Sequence, residues 1–131
     1  ALMHKRKQGE RFELLAWSWL ENHGYSLIDK NFARRIGEID LIVQDPDNST
    51  VVFVEVRFRS SERYGGAIAS VDYRKQRKLA RTANSWLQRY ANQITPARID
   101  VIALKPALQN TPTKNYWRGF EVIWIKNAVE E

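Results

Sequence analysis

Cysteine is absent from this chain of 131 residues, which excludes disulfide bonds and zinc sites with cysteine ligands. Histidine is scarce as well: His4 and His23 are the only two, and neither belongs to a catalytic triad or a histidine-based metal motif. The one glycine pair, Gly65 and Gly66, lacks the sequence context that a phosphate-binding loop requires. The chemistry of this protein therefore has to be sought among its carboxylates and cations.

Long apolar segments are also missing. No run approaches the roughly 20 residues that cross a bilayer, and the N-terminal stretch ALMHKRKQGE has no apolar core of a signal peptide. Hydrophobic residues make up 44% of the chain and charged residues 27%, as in ordinary globular proteins. We expect a single cytoplasmic domain over residues 1–131, with a core of its own and no membrane partner.

Basic residues are concentrated in one part of the chain. The net charge is +6, and residues 57–81 alone carry eight basic side chains against two acidic ones, while the rest is balanced. A local basic excess of this kind is typical of proteins that bind a polyanion such as nucleic acid. A solvated helix face gives the same pattern, so charge alone does not decide between the two.

Hydrophobic periodicity and turn residues predict the order of helices and strands. Helices are predicted at residues 8–23 and 71–91, and strands at residues 25–32, 35–44, 51–60, 97–106 and 116–126. Gly24 suits the end of the first helix, and residues 45–49 (DPDNS) are typical of a tight turn. Gly119 is a candidate β-bulge in the last strand. The order αβββαββ favours an α/β fold with a mixed β-sheet flanked by helices.

Carboxylates mark the two strands on either side of the predicted turn. Alternation places Glu38 and Asp40 on one face of their strand. The apolar Ile39 and Leu41 are expected on the other face. Counting outward from the turn puts Asp40 opposite Glu55, with about 5.5 Å between their Cβ atoms if they share a face. Like charges this close are destabilising unless a cation lies between them.

That cation can be a metal ion or a side chain. Two carboxylates, a backbone carbonyl and waters commonly hold Mg²⁺, which activates water and stabilises charge on a phosphoryl oxygen. Alternatively, Arg57 lies on the same strand face as Glu55, neutralises the pair, and no reaction follows. Lys75 is a further cation expected to lean toward the sheet, because it lies one turn before Leu79 on the apolar stripe of the second helix. Spacing alone leaves both alternatives open.

The residues from Gly9 to Leu104 resemble a known family. The stretches GERFELLAWSWLENHGY, GEIDLIVQD and VVFVEVRFRS, followed by VDYRKQRKL and RIDVIAL, are similar to those of the YraN-like bacterial proteins. These proteins look like relatives of the archaeal Holliday-junction resolvases in the PD-(D/E)XK nuclease superfamily. The resemblance implies a restriction-endonuclease-like core, a Mg²⁺ or Mn²⁺ cofactor, and hydrolysis of phosphodiesters by a metal-activated water. It also implies that the substrate is DNA, branched DNA included, rather than RNA.

Matching the motifs of that superfamily position by position assigns roles to individual residues. Asp40 and Glu55 correspond to the metal-binding carboxylates, with the carbonyl of Val56 as a third oxygen ligand. Glu13 corresponds to the glutamate of the first helix, and Lys75 to a basic or glutamine position on the following helix. The implied catalytic residues are Glu13, Asp40, Glu55, Arg57 and Lys75. The residues assigned to nucleic-acid binding are Arg34, Arg35, Arg59, Arg63, Arg74 and Lys78.

One position departs from the superfamily pattern in a way that bears on activity. Where the E-x-K element has lysine, this chain has Arg57. Arginine stays protonated in proteins and cannot act as a general base, although it can orient water or stabilise the phosphate. The alternative function is therefore a nucleic-acid-binding module that kept the nuclease scaffold and cuts weakly or not at all.

Two further hypotheses concern protein partners. A homodimer follows only from the analogy with resolvases. A protein–protein adaptor would use the aromatic last strand, with Trp117, Phe120 and Trp124, as an exposed edge. The competing expectation is that most of these aromatic residues belong to the core.

Overall fold

The computed structural model describes residues 2–59, 71–91, 94–108 and 114–129, with side chains described from residue 8 onward. Its two helices are α1 (Leu2–Asn22) and α2 (Tyr73–Tyr90). Its strands are β1 (Ser26–Arg34), β2 (Gly37–Gln44), β3 (Val51–Phe58), β4 (Ala97–Pro106), β5 (Tyr116–Trp117) and β6 (Phe120–Ile125). Helix α1 begins earlier than the predicted residue 8, and the other elements lie where the sequence predicted them except at the last strand.

In the described part of the chain, the strands form one mixed sheet in the order β1-β2-β3-β4-β6-β5. β3 and β4 run parallel on either side of α2 in sequence, whereas the other neighbouring strands are antiparallel. Helix α1 packs on one face of the sheet through Trp19 and Leu20. Helix α2 packs on the other face through Leu79 and Trp86. The predicted α/β class, with a mixed sheet flanked by helices and a restriction-endonuclease-like core, is confirmed.

The prediction of one strand over residues 116–126 is wrong in one respect. Arg118 (φ 50°) and Gly119 (φ 96°) both adopt left-handed backbone conformations, which a two-residue hairpin turn of type I′ requires. Trp117 and Phe120 pair across this turn. Gly119 is therefore a turn residue rather than a bulge, and the order of elements is αβββαβββ.

Three of the four aromatic residues in this hairpin point into the protein, whereas Tyr116 is exposed. Phe120 is buried, and Trp117 and Trp124 are partly buried against the core cluster on the α1 side. The indole N–H of Trp117 donates to Oγ of Ser18 at 2.8 Å, which fixes the hairpin to α1. These residues therefore act as core, and the exposed aromatic edge that the adaptor hypothesis requires is not formed by them.

Local sequence signals explain where the helices start and end. Gly24 adopts a left-handed conformation (φ 86°), and the N–H of Tyr25 returns to the carbonyl of Leu20 at 3.0 Å, as in a Schellman cap. Asp72 caps α2, because its side chain accepts a hydrogen bond from the N–H of Lys75 at 2.8 Å. This cap fixes the first turn of α2, on which Lys75 lies.

Gly37 lets β2 approach α2 closely. A Cβ atom at this position would lie 2.8 Å from Oγ1 of Thr82 and 3.5 Å from Cβ of Lys78. Thr82 is fully buried, and its hydroxyl donates to the carbonyl of Lys78 at 2.7 Å, so it has little freedom to move. The close approach places the turn between β1 and β2 beside the middle of α2.

Within the described residues, no helix has the length and apolar character needed to span a membrane.

Candidate active site

Asp40 lies where β2 and β3 separate. The ladder between the two strands ends at Leu41 opposite Val54, and the next step sets Asp40 opposite Glu55, which is the predicted register. Instead of a further backbone pair, Oδ2 of Asp40 accepts a hydrogen bond from the N–H of Val56 at 2.8 Å. Because the N–H and C=O of one strand residue point to the same edge, the carbonyl of Val56 faces this opening as well.

Asn31 in the middle of β1 interrupts the regular alternation of the strands. Its φ of 52° is left-handed, and the register between β1 and β2 sets it opposite Asp40. Leu41, which follows Asp40 along β2, belongs to the core cluster on the α1 face of the sheet. Ile39, which precedes Asp40, belongs to the core cluster on the α2 face. The prediction that Ile39 and Leu41 share a face is therefore wrong, because the strand surfaces switch sides at the irregular pair.

Glu13 reaches the same point from α1. Its carboxyl group lies close enough to that of Asp40 to share a hydrogen bond when one of the two is protonated. With the amide of Asn31 oriented by its neighbours, its nitrogen donates to Oε1 of Glu13 at 2.8 Å and to Oε2 at 3.3 Å. Sequence patterns did not single out Asn31. The available signal was an asparagine, a poor strand former that tolerates the left-handed conformation, in the middle of a predicted strand.

Glu55 approaches from β3 and is only 6% exposed. Nζ of Lys75 lies 3.9 Å from Oε2 of Glu55, and Nε of Arg57 lies 3.5 Å from Oε1. The inward orientation of Lys75 confirms the prediction from helical phase. Both cations contact Glu55 loosely, because among the described residues neither Oε2 of Glu55 nor Nε of Arg57 has a hydrogen-bond partner.

The pKa values of the three neighbouring carboxyl groups, Glu13, Asp40 and Glu55, are all raised. Burial raises the pKa of Glu13 to about 7, and the charge of Asp40 adds to the effect. Burial and the charge of Asp40 raise the pKa of Glu55 to about 7, against the opposing effect of Lys75 and Arg57. Burial also raises the pKa of Asp40, although the hydrogen bond from Val56 opposes it. A cluster with raised pKa values around one opening is an arrangement that a cation would stabilise.

The atoms at the opening fit a hard divalent cation. The carboxylates of Asp40 and Glu55 and the carbonyl of Val56 supply the oxygen ligands that Mg²⁺ and Mn²⁺ prefer. Oε2 of Glu55 is a buried carboxylate oxygen that no hydrogen bond from the described residues satisfies. Across the described residues, no three His, Cys, Asp or Glu side chains converge closely enough to hold a metal by themselves. A cation at this position would therefore keep several waters, as Mg²⁺ commonly does.

The raised pKa values of Glu13 and Glu55 predict how stability depends on pH. The ordinary pKa of 4.5 describes the unfolded chain, whereas the folded protein has values of about 7. The folded state therefore binds more protons between these values, and the free energy of unfolding falls as the pH rises through this window. We expect the melting temperature measured in EDTA to fall between about pH 5 and about pH 8. Glu55→Gln should reduce the fall, and an equal fall in that variant would contradict the assignment.

A cleft of about 240 Å³ opens onto these groups. Its lining includes the charged side chains of Glu13, Asp40 and Arg57 and the aromatic side chains of Phe12 and Phe58. The cleft thus combines acidic, basic and aromatic side chains. All five residues assigned to catalysis lie at or next to this opening.

The six residues assigned to nucleic-acid binding are more dispersed. Arg34 and Arg35 are exposed at the turn between β1 and β2, where the close approach at Gly37 sets them beside Lys78. Arg74 is exposed one helical turn before Lys78, and therefore nearer to Lys75 and the cleft. Arg59 is half-buried directly after β3, and its backbone N–H donates to Leu104. Arg63 lies outside the described residues.

Comparisons with known proteins place the chain among bacterial sequences of one group. A family model described as "Uncharacterised protein family UPF0102" matches residues 12–104. A UPF0102 protein of Aliivibrio salmonicida is 41% identical over 130 residues, which cover 98% of this chain and 95% of the relative. A UPF0102 protein of Enterobacter sp. strain 638 is 40% identical over 131 residues, covering 98% of this chain and 88% of the relative. A third, from Photobacterium profundum, is 42% identical over 105 residues, covering 79% and 82%.

Proposed function

The chain belongs to the UPF0102 family, and we propose that it is a metal-dependent nuclease that hydrolyses phosphodiester bonds in structured DNA. The observation that supports the proposal most is the opening between β2 and β3. There the side chain of Asp40 binds the N–H of Val56 next to the buried Glu55, and three carboxyl groups have raised pKa values. Structural carboxylates are normally satisfied by hydrogen bonds, whereas Oε2 of Glu55 has no such partner in the part of the chain that the structure describes.

The residues around the opening have distinct roles in this proposal. Asp40, Glu55 and the carbonyl of Val56 hold Mg²⁺ or Mn²⁺. When bound, the metal would lower the pKa of a coordinated water and stabilise charge on the phosphate. Glu13, whose carboxyl group lies next to that of Asp40, orients that carboxylate and adds negative charge on the α1 side of the opening. These groups account for the binding of a cation, and the positive side chains account for the binding of the substrate.

Lys75 and Arg57 stabilise the phosphate electrostatically and take no part in proton transfer. Their cationic groups lie 3.9 Å and 3.5 Å from Glu55 without hydrogen bonds to it, so both are free to turn toward an incoming phosphate. Arg57 remains protonated and acts by electrostatic stabilisation only. The exposed Arg34, Arg35, Arg74 and Lys78 extend this positive region along α2 and contact the nucleic-acid backbone.

The experiment uses purified protein with forks, four-way junctions, single strands and continuous duplexes, in Mg²⁺, Mn²⁺ or EDTA. We expect cleavage in the presence of either metal, none in EDTA, and loss of cleavage in Glu55→Gln. Glu21→Gln, exposed at the end of α1 and two helical turns beyond Glu13, is the matched control and should cut like the wild type. Cleavage that persists in Glu55→Gln would contradict the proposal, because it would come from another site or a contaminant.

A second candidate function is supported by the contact between Arg57 and Glu55. An arginine that stays on Glu55 would neutralise it, and the protein would then bind nucleic acid without cutting it. Arg57→Lys separates the two candidates in the same assay. A large gain of cleavage would indicate a nuclease that the arginine restrains. Salt-sensitive binding without cleavage in both proteins would favour the binding module.

A further inference from the structure

Phe58 is an exposed aromatic residue at the rim of the cleft. It is the last residue of β3, and 43% of its surface is exposed. The ring of Phe12 from α1 stacks on it, with centroids 4.5 Å apart and planes within 8° of parallel. Phe120 meets both rings edge-on, at 6.4 Å from Phe58 and 5.9 Å from Phe12. The three rings hold one another in place, and Phe58 is the outermost of them.

Core packing accounts for the positions of Phe120 and Phe12 but not for the exposed position of Phe58. Phe120 is buried, and Phe12 is half-buried between α1 and the sheet. Phe12 covers one face of Phe58 and Phe120 meets its edge, yet 43% of Phe58 stays exposed at the mouth of a cleft that contains Asp40. A rigid ring with an open face is the kind of surface on which a nucleobase stacks.

The charges around this ring suit the same ligand. Arg57 lines the same cleft as Phe58, and the guanidinium of Arg11 lies 5.7 Å from the centroid of Phe120. Aromatic rings beside cations are the combination that binds single-stranded nucleic acid, with bases on the rings and phosphates on the cations. Asp40 of the proposed metal site lines the same cleft as Phe58.

We infer that Phe58 is a stacking platform for one unpaired nucleobase next to the phosphate that is cut. This inference rests on the proposed function and specifies its substrate class. In a continuous duplex both faces of every internal base are covered by neighbouring bases, so no face is open to Phe58. A fork, junction or bulge with an unpaired nucleotide offers such a face. The protein therefore prefers nucleic acid with an unpaired nucleotide at the cleavage site over continuous duplex.

The platform and the cations make separable contributions to binding. Cations bind the phosphates of duplex and unpaired substrates alike, and their contribution weakens with salt. Stacking on Phe58 adds affinity only for the substrate with an unpaired base, by roughly tenfold for one base. Removal of the ring should therefore change the ratio of the two affinities and leave duplex binding unaltered.

The test compares two DNA ligands: a continuous duplex, and the same duplex with one unpaired 2-aminopurine nucleotide. All proteins carry Asp40→Asn, so that neither ligand is cut. With Phe58 present, we expect quenching of 2-aminopurine fluorescence and tighter binding of the unpaired ligand. Phe58→Ala should abolish the quenching and weaken only that binding, by roughly tenfold, and Phe58→Trp should restore both. Tyr116→Ala, which removes another exposed aromatic ring (54%), is the matched control and should change neither.

The outcomes distinguish the inference from the proposed function beneath it. Equal weakening of both ligands by Phe58→Ala, or no quenching with Phe58 present, would overturn the stacking role while binding of nucleic acid stands. Failure of the protein with Phe58 intact to bind either ligand would overturn the proposed function itself. Unchanged duplex binding by Phe58→Ala shows that this variant is folded.

Discussion

Asp40→Asn should lower metal-dependent cleavage by at least about 100-fold, because mutations of groups that only support metal ligands already cost 10- to 100-fold. Asparagine has the same shape, and its amide oxygen can still accept the hydrogen bond from Val56, which is 2.8 Å long in the wild type. The amide nitrogen can donate to Glu13. The variant therefore keeps the local structure and loses the negative charge that attracts a cation.

The same substitution should raise the melting temperature of the metal-free protein at neutral pH. The charge of Asp40 contributes to the raised pKa values of Glu13 and Glu55, which means that the ionised groups destabilise one another in the folded state. Removal of one charge relieves this repulsion. Opposite effects on activity and stability are typical of residues that are retained for function.

Asp47→Asn is the matched control for both measurements, since Asp47 is exposed in the turn between β2 and β3. It should leave cleavage unchanged and alter the free energy of unfolding by no more than about 0.5 kcal/mol. Cleavage by Asp40→Asn at the wild-type rate would remove Asp40 from the site. A lower melting temperature than that of the wild type would mean that the carboxylate is held for stability.

Asp100→Ala should lower the free energy of unfolding by about 3–5 kcal/mol, the usual cost of removing one partner from a buried ion pair. Asp100 is fully buried on β4, and Arg98 donates to both of its oxygens, at 3.0 Å and 3.3 Å. The indole N–H of Trp124 (3.0 Å) and the backbone N–H of Asn127 (2.9 Å) donate to it as well. Alanine would leave these donors without an acceptor in the interior.

The network around Asp100 joins distant parts of the sheet at the end away from the cleft. Arg98 also donates to Asp45 at 2.8 Å and to the hydroxyl of Tyr25 at 3.1 Å. Tyr25 precedes β1 and Asp45 follows β2, so these bonds tie β1 and β2 to β4. Loss of Asp100 should therefore lower the cooperativity of the whole sheet and not only the stability of β4.

Urea unfolding of Asp100→Ala and Asp100→Asn measures this effect. Asparagine keeps one acceptor and the volume, so its loss of stability should be smaller than that of alanine. Asp47→Ala removes an exposed carboxylate and should cost no more than about 0.5 kcal/mol. A cost below about 1 kcal/mol for Asp100→Ala would show that desolvation of this network cancels its hydrogen bonds.

Several parts of the site could be predicted because they depend on neighbours in sequence. The tight turn at residues 45–49 fixes the register of its two strands, so Asp40 opposite Glu55 followed from counting. Helical periodicity, which also depends only on residues close in sequence, placed Lys75 on the inward face of α2. The prediction of a single strand at residues 116–126 was wrong because Arg118 adopts a left-handed conformation. Arginine is not a residue type that indicates such a conformation in a sequence.

The sequence by itself determined the family, the alternation of helices and strands, and the carboxylates and cations available to a site. Only the tertiary structure decided how they meet. The hydrogen bond from Asn31 to Glu13, the stacking of Phe12 on Phe58 and the bond from Arg98 to Asp45 all join residues far apart in the chain. Periodicity reports which face a residue takes within its own element. Which elements bring those faces together depends on the packing of both helices against the completed sheet, and that is a property of the whole chain.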